Sequence, residues 1–257
     1  MLDLNQRFNG IERLYGSGSL TRLSEAHMVV LGIGGVGSWT CESLLRSGLG
    51  KITIVDLDDI CITNTNRQIH TLESTYGQPK VRAMADRLKA INSDAEIVCI
   101  HDYIGKENLA TILDSRVDIV IDAIDSLHSK VAVVAYCHKN AIPIITVGGA
   151  GGKRDPSMIM TGDLGDTCND GLLRMLRKNL RQKHNFKTDT SYGIQAVYSR
   201  ERAYFLQSDG SVSQRSNLPS GKPIDCNSGF GTASFVTGAF GFAASALAIQ
   251  KLLETYV

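Results

Sequence analysis

The sequence predicts an α/β protein. Its core is a Rossmann-like, mostly parallel sheet with helices on both faces, and a C-terminal extension completes the chain. Three observations carry this. Short apolar runs recur through the first 150 residues, helix-length stretches lie between them, and a glycine-rich turn directly follows the first run. Strand–helix alternation implies right-handed crossovers, and hence a parallel sheet.

Taken in order, the apolar runs HMVVLGI (27–33), KITIVDL (51–57), AEIVCIH (95–101), VDIVIDAI (117–124) and IPIITVGG (142–149) read as buried strands. Residues 36–48, 79–91, 106–114 and 127–140 read as the helices between them, with Gly48 and Gly50 closing the first. Beyond Gly152 the alternation fades. GGKRDPSM reads as a turn, 171–187 as a basic helix, IQAVYSRE (194–201) as a strand, and the Ser-, Gly- and Pro-rich stretch 207–229 as loop. A last helix is expected from about Gly231 to about Glu254. The chain reads as a single domain over 1–257, with a nucleotide-binding core over 7–150 and an elaboration over 151–257.

The turn VVLGIGGVGSWTCESLL holds Gly32, Gly34 and Gly37 as G-x-G-x-x-G. Glycines let such a loop turn tightly and bring backbone N–H groups to phosphate oxygens at a helix N-terminus. That spacing suits any nucleotide. Asp56 lies at the end of the second strand and suits a ribose hydroxyl, although a turn cap is its plain alternative. The residues beyond Asp56 do not suit a nicotinamide cofactor. VDLDDICITNTNRQ supplies Asn64 and Arg67, GQPK places Lys80 at a helix start, and IDAIDS ends the fourth strand with Asp122 and Asp125. A triphosphate needs two such cations as pyrophosphate departs, and an aspartate that holds Mg²⁺. Asp122 reads as packing or capping, and His70 and His101 as structural.

GIGGVGS, DLDDICITNTNRQ, GQPK and DAIDS, in this order, resemble the adenylating family of the molybdopterin and thiamine pathways, to which the ubiquitin-activating enzymes also belong. The resemblance implies ATP and Mg²⁺ as cofactors, with ATP held by Gly34, Gly35, Gly37, Asp56, Asn64, Arg67 and Lys80. It makes Asp125 the metal-linked acid and Arg67, Lys80 and Asp125 the catalytic set. It also implies a homodimer whose N-terminal arm lends an arginine to the neighbouring subunit's ATP; here Arg13 and Arg7 are the candidates. RFNGIERLYG, TNTNRQIH, TVGGAGGKRDP, QSDGSV and DCNSGFG resemble one branch of that family. This branch adenylates the carboxylate of the threonylcarbamoyl group on a modified tRNA adenosine and closes it to a ring. The competing readings are an adenylyltransferase for a sulfur-carrier protein and an inactive nucleotide-binding scaffold. The first commonly carries paired C-x-x-C zinc motifs, which this chain lacks, and the intact charged set argues against the second.

A net charge of +1 means that any nucleic-acid surface must be local. Between 172 and 187 lie Arg174, Arg177, Lys178, Arg181 and Lys183 with no acid among them, a pattern suited to tRNA phosphates; a solvated helix face is the alternative. The six cysteines are single, and the N-terminus lacks a signal-peptide core, so a cytoplasmic protein with free thiols is expected. Cys226 has two readings. It is either a thiol serving a sulfur-transfer (cysteine desulfurase) partner or a small buried residue, and the second is preferred because ring closure needs no enzyme thiol. The uncharged stretch 229–250 has the length of a membrane span, yet its Gly, Ala, Ser and Thr favour close packing on the sheet or in a dimer.

Overall fold

The computed structural model describes residues 4–114, 116–187, 190–214 and 230–254. Cys226 lies outside them. The elements run, in order, α1 (Leu4–Tyr15), α2 (Ser19–Glu25), β1 (His27–Leu31), α3 (Gly37–Arg46), β2 (Lys51–Val55), α4 (Lys80–Ile91), β3 (Glu96–Ile100), α5 (Leu109–Ile112), β4 (Ile119–Asp122), α6 (Leu127–Lys139), β5 (Ile144–Val147), β6 (Ile159–Asp163), α7 (Gly171–His184), β7 (Gln195–Ser199), β8 (Phe205–Leu206), β9 (Val212–Ser213) and α8 (Ser234–Glu254).

Among the described residues the main sheet has seven strands in the order β3-β2-β1-β4-β5-β7-β6. All neighbours are parallel except β6, which runs antiparallel along β7. Alternation along each strand sends side chains to opposite faces. Met28, Val30, Ile52, Ile54, Ile119 and Ile121 face α3, α4 and α8. Val29, Leu31, Val55 and Val120 face α5, α6 and α7. The order in which strands are added reverses at β1, with β2 and β3 on one side and β4 and β5 on the other. A crevice opens there at the carboxyl ends of the strands, where ligands of such sheets bind.

Three features differ from the sequence expectation. The N-terminal arm is helical (α1 and α2). The segment after the turn at 151–158 forms β6, which continues the main sheet. Within the stretch expected to be loop, Val212–Ser213 form β9, which pairs antiparallel with β8 just before it, two residues per strand. Strands this short carry too little alternation to register in sequence.

The last helix begins at Ser234 rather than Gly231. α8 is long and apolar enough to cross a membrane by length and composition, yet it packs inside the fold. It lies along α3 so closely that a Cβ on Gly241 would stand 2.8 Å from the Val36 carbonyl oxygen. Thr40 donates to the Gly241 carbonyl at 3.3 Å, and Ser245 to Ser43 at 2.7 Å. The small residues of the stretch thus permit helix–helix approach.

Candidate active site

The glycine loop joins β1 to α3. Gly32 has φ +86°, and a Cβ on Gly37 would lie 1.8 Å from the Gly32 carbonyl oxygen, so no larger residue fits that turn. Asp56, just past β2, reaches back to the loop: it accepts from the Ile33 N–H at 2.6 Å and from the Asp58 N–H at 2.9 Å. Asp56 is therefore a backbone cap as well as a carboxylate in the crevice. Burial pushes its pKa up, and the nearby Lys80 pulls it down.

Lys80 is the first residue of α4. Its position is set by a small ladder between two loops: Ile60 N–H donates to Gln78, Gly77 N–H to Ile60, and Lys80 N–H to Asp58. Its side chain is 7% exposed and lies 2.6 Å from Asp58 Oδ2 and 3.7 Å from Asp56 Oδ1. Asp58 itself is 70% exposed. The ammonium is thus desolvated on one side and open on the other through an aspartate that is free to swing away.

Arg67 sits across the loop from Lys80's helix. Its Cγ would lie 3.4 Å from a Cβ on Gly35, so its stem crosses the glycine turn. Its main-chain carbonyl accepts from Trp39 Nε1 at 3.0 Å and Thr237 Oγ1 at 3.2 Å. Its guanidinium donates to the Thr63 carbonyl and to Asn66 Oδ1. α3 and the first turn of α8 therefore hold this arginine, so the C-terminal helix builds part of the nucleotide-binding edge. Asn64 caps its own turn, accepting from the Cys61 N–H at 3.0 Å. Its amide nitrogen has no partner among the described residues. Gln68, the last residue of the motif VDLDDICITNTNRQ, is 6% exposed, brings its Nε2 to 4.0 Å from a Cβ on Gly34, and leaves its Oε1 without a partner among the described residues.

On the other side of β1, Asp122 and Asp125 separate cleanly. Asp122 ends β4 pointing toward α6 and is fully buried. It accepts from Lys130 Nζ at 2.8 Å and Thr146 Oγ1 at 2.7 Å. The expected packing role thus takes the form of a buried ion pair with Lys130, a partner not anticipated from sequence. Asp125 lies exposed in the turn before α6, with no hydrogen bond among the described residues. No cluster of three or more His, Cys, Asp or Glu poised for a metal occurs among the described residues. A single free carboxylate beside a phosphate-binding loop fits Mg²⁺, which usually takes one or two carboxylates and completes its shell with substrate phosphates and water.

The remaining candidates are dispersed. Arg7 is tied to its own chain, with the Ile91 carbonyl and Asp94 as partners. Arg13, at the end of α1, is exposed. On α7, Leu173, Leu176 and Leu180 are buried, while Arg174, Lys178, Arg181 and Lys183 are exposed. Arg177 differs from them: it turns inward to Thr167 Oγ1 and the Leu164 carbonyl. His101 bonds the Leu57 carbonyl at 2.7 Å, while both ring nitrogens of buried His70 lack partners among the described residues.

Comparison with known proteins finds relatives over nearly the whole chain. The tRNA threonylcarbamoyladenosine dehydratase of Escherichia coli is 43% identical over 251 residues, which cover 96% of this chain and 94% of that protein. Crystal structures of the E. coli dehydratase in complex with AMP and with ATP superpose with a TM-score of 0.85 at 39% identity, each covering 98% of this chain. The molybdopterin-synthase adenylyltransferase of E. coli is 27% identical over 157 residues, 61% of this chain and 62% of its own length. Residues 8–255 match the model of the ThiF family, and the chain belongs to that family.

Proposed function

We propose that this protein is an ATP-dependent tRNA threonylcarbamoyladenosine dehydratase. It adenylates the side-chain carboxylate of that modified nucleoside and closes the ring within the same group. The observation that carries the reading is the near-full-length identity to the E. coli dehydratase, against a weaker and partial match to a sulfur-carrier adenylyltransferase.

The chemistry follows from the site. A carboxylate is a poor electrophile. Attack by its oxygen on the α-phosphorus of ATP forms an acyl adenylate and releases pyrophosphate. A nucleophilic atom of the same carbamoyl group then attacks the activated carbonyl, a proton is lost from that group, and AMP is expelled. One water is lost overall. In this reading the N–H groups of Gly34–Gly37 and the helix N-terminus cradle phosphate. Asp56 takes the ribose. Asn64 offers its free amide nitrogen to a phosphate oxygen. Lys80 exchanges Asp58 for the triphosphate, and Arg67 swings from Thr63 to it, so both meet the charge that develops as pyrophosphate leaves. Asp125 holds Mg²⁺, which neutralises phosphate charge.

The functional unit in this reading is a homodimer. Exposed Phe235 and Phe242 on α8 and Leu14 on α1 form its apolar contact, and Arg13 rather than the tethered Arg7 reaches the neighbouring ATP. Exposed Arg174, Lys178, Arg181 and Lys183 meet tRNA phosphates, with Arg177 serving the fold. Cys226 and a sulfur-transfer partner are not needed by this chemistry.

Mass spectrometry of tRNA nucleosides tests the reading. Cells lacking this gene are expected to accumulate the open nucleoside, and purified protein with ATP and Mg²⁺ is expected to remove one water from it. If the cyclic nucleoside persists at normal levels in those cells, the reading fails.

A further inference from the structure

One exposed cluster has no part in the chemistry above. It stands on the loops that leave β5 and β7, on the same carboxyl edge as Asp125. The loop after β5 is braced from beneath. Gly149 N–H donates to the buried Asp170 at 2.9 Å, and Gly152 N–H to the Gly231 carbonyl at 2.8 Å. Lys153, 5% exposed, spends its ammonium on the main-chain carbonyls of Asn169 and Glu201. The Glu201 carboxylate, also buried, accepts from the N–H groups of Arg154 and Asp155 at 2.8 and 3.1 Å.

Two buried ionisable residues thus fix the backbone of one exposed arginine. Arg154 has its guanidinium 4.1 Å from the centroid of the Tyr204 ring, and its side chain donates no hydrogen bond among the described residues. Tyr204 is in turn tied to the loop, its N–H donating to the Gly152 carbonyl at 2.8 Å. The Phe205 and Phe230 rings pack beside it, 4.8 Å apart.

A guanidinium held over an aromatic ring, exposed and with its N–H groups unpaired among the described residues, fits an unpaired nucleobase and its phosphate: the base stacks on the plane while the fork binds oxygen. A lone carboxylate or phosphate needs the fork but not the ring beneath it. Position agrees. β7 is two strands from β4, so at strand spacing the cluster stands about 10 Å from the Asp125 edge, a span that a few nucleotides cover.

The geometry points to Arg154, held on Tyr204, as the stacking plane for an unpaired base of the RNA substrate close to the modified adenosine. This rests on the tRNA reading above. The full chain is tested by equilibrium binding of a labelled anticodon stem-loop RNA, by steady-state dehydration of tRNA, and by ATP binding as a check on folding. Arg154→Ala and Tyr204→Ala are each expected to weaken RNA binding about 5- to 100-fold and to raise KM for tRNA, with ATP affinity unchanged. Tyr204→Phe keeps the ring and is expected to bind RNA as the wild type does. Arg154→Lys keeps the charge without the plane and is expected to recover only a small part of the loss. Full recovery by Arg154→Lys would reduce the residue to a charge contact and overturn the stacking role, and so would unchanged RNA affinity in both alanine variants. A wild-type protein that neither binds nor dehydrates tRNA would instead overturn the tRNA reading, a result separable from either of these.

Discussion

Two lysine–aspartate pairs flank β1, and they differ in burial. Lys130 and Asp122, between α6 and the end of β4, are both fully buried and saturated by Thr146 and main-chain groups. Lys80 and Asp58, on the other side, pair a 7%-exposed ammonium with a 70%-exposed carboxylate. A sealed pair cannot change partners without leaving a charge uncompensated. A pair with one wet member can, because water accepts the aspartate when a phosphate displaces it. Similar pairs thus serve the fold on one side and, in the proposed function, the nucleotide on the other.

The strongest way to break this contrast is to remove one member of the sealed pair. Lys130→Met should destabilise the protein by about 3–5 kcal/mol, since Asp122 is then buried unpaired. Adding Asp122→Asn should restore a good part of that. Urea denaturation reads both, and a single variant as stable as the wild type would contradict the sealed-pair account.

On the open side the loss should fall on rate instead. Lys80→Ala and Arg67→Ala are expected to lower turnover about 10²–10³-fold each while weakening ATP binding less. Single-turnover AMP formation decides it, and wild-type rates in both would mean that these cations do not meet the leaving pyrophosphate.

The open side also carries an acid sensitivity. Burial, and then the charges of Lys80 and Arg87, push the His70 pKa down to about 4. The unfolded chain protonates this histidine first, near pH 6.5, so stability is full above that pH and falls as pH drops toward about 4. The loss is on the order of 2–3 kcal/mol. His70→Leu should flatten that slope, and an unchanged slope would place the acid sensitivity elsewhere.

Asp56 sharpens the comparison further, because it serves both backbone and crevice. Asp56→Asn keeps an acceptor for the Ile33 N–H and should weaken ATP binding about tenfold with little effect on stability. Calorimetry that finds tight NAD binding and no ATP binding would remove the adenylation reading altogether.

The smallest effect expected is on the salt dependence of RNA binding. Replacing Arg174, Lys178 and Arg181 with Gln should flatten the log–log slope by about 0.7–0.9 for each phosphate deprived of its cation, whereas Arg177→Gln should change stability instead. An unchanged slope would make the outer face of α7 merely solvated.

The parallel core was legible because buried strands leave continuous apolar runs and helices leave a 3.6-residue period. The candidate set Gly32, Gly34, Gly37, Asp56, Arg67, Lys80 and Asp125 could be named from sequence because a glycine spacing after a strand and charged residues in the loops beyond strands can be read there. The basic character of 172–187 was visible too, but not that Arg177 faces inward. Only the tertiary structure decided which aspartate of IDAIDS is buried, because Lys130 and Thr146 reach Asp122 from separate elements. It also decided that α8 is a core helix wedged on α3 and bonded to Arg67, since a run of small apolar residues has the same composition in a core as in a membrane. The Arg154–Tyr204 pair comes together only when the loops after β5 and β7 meet, as they do because those strands are neighbours in the sheet and far apart in the chain.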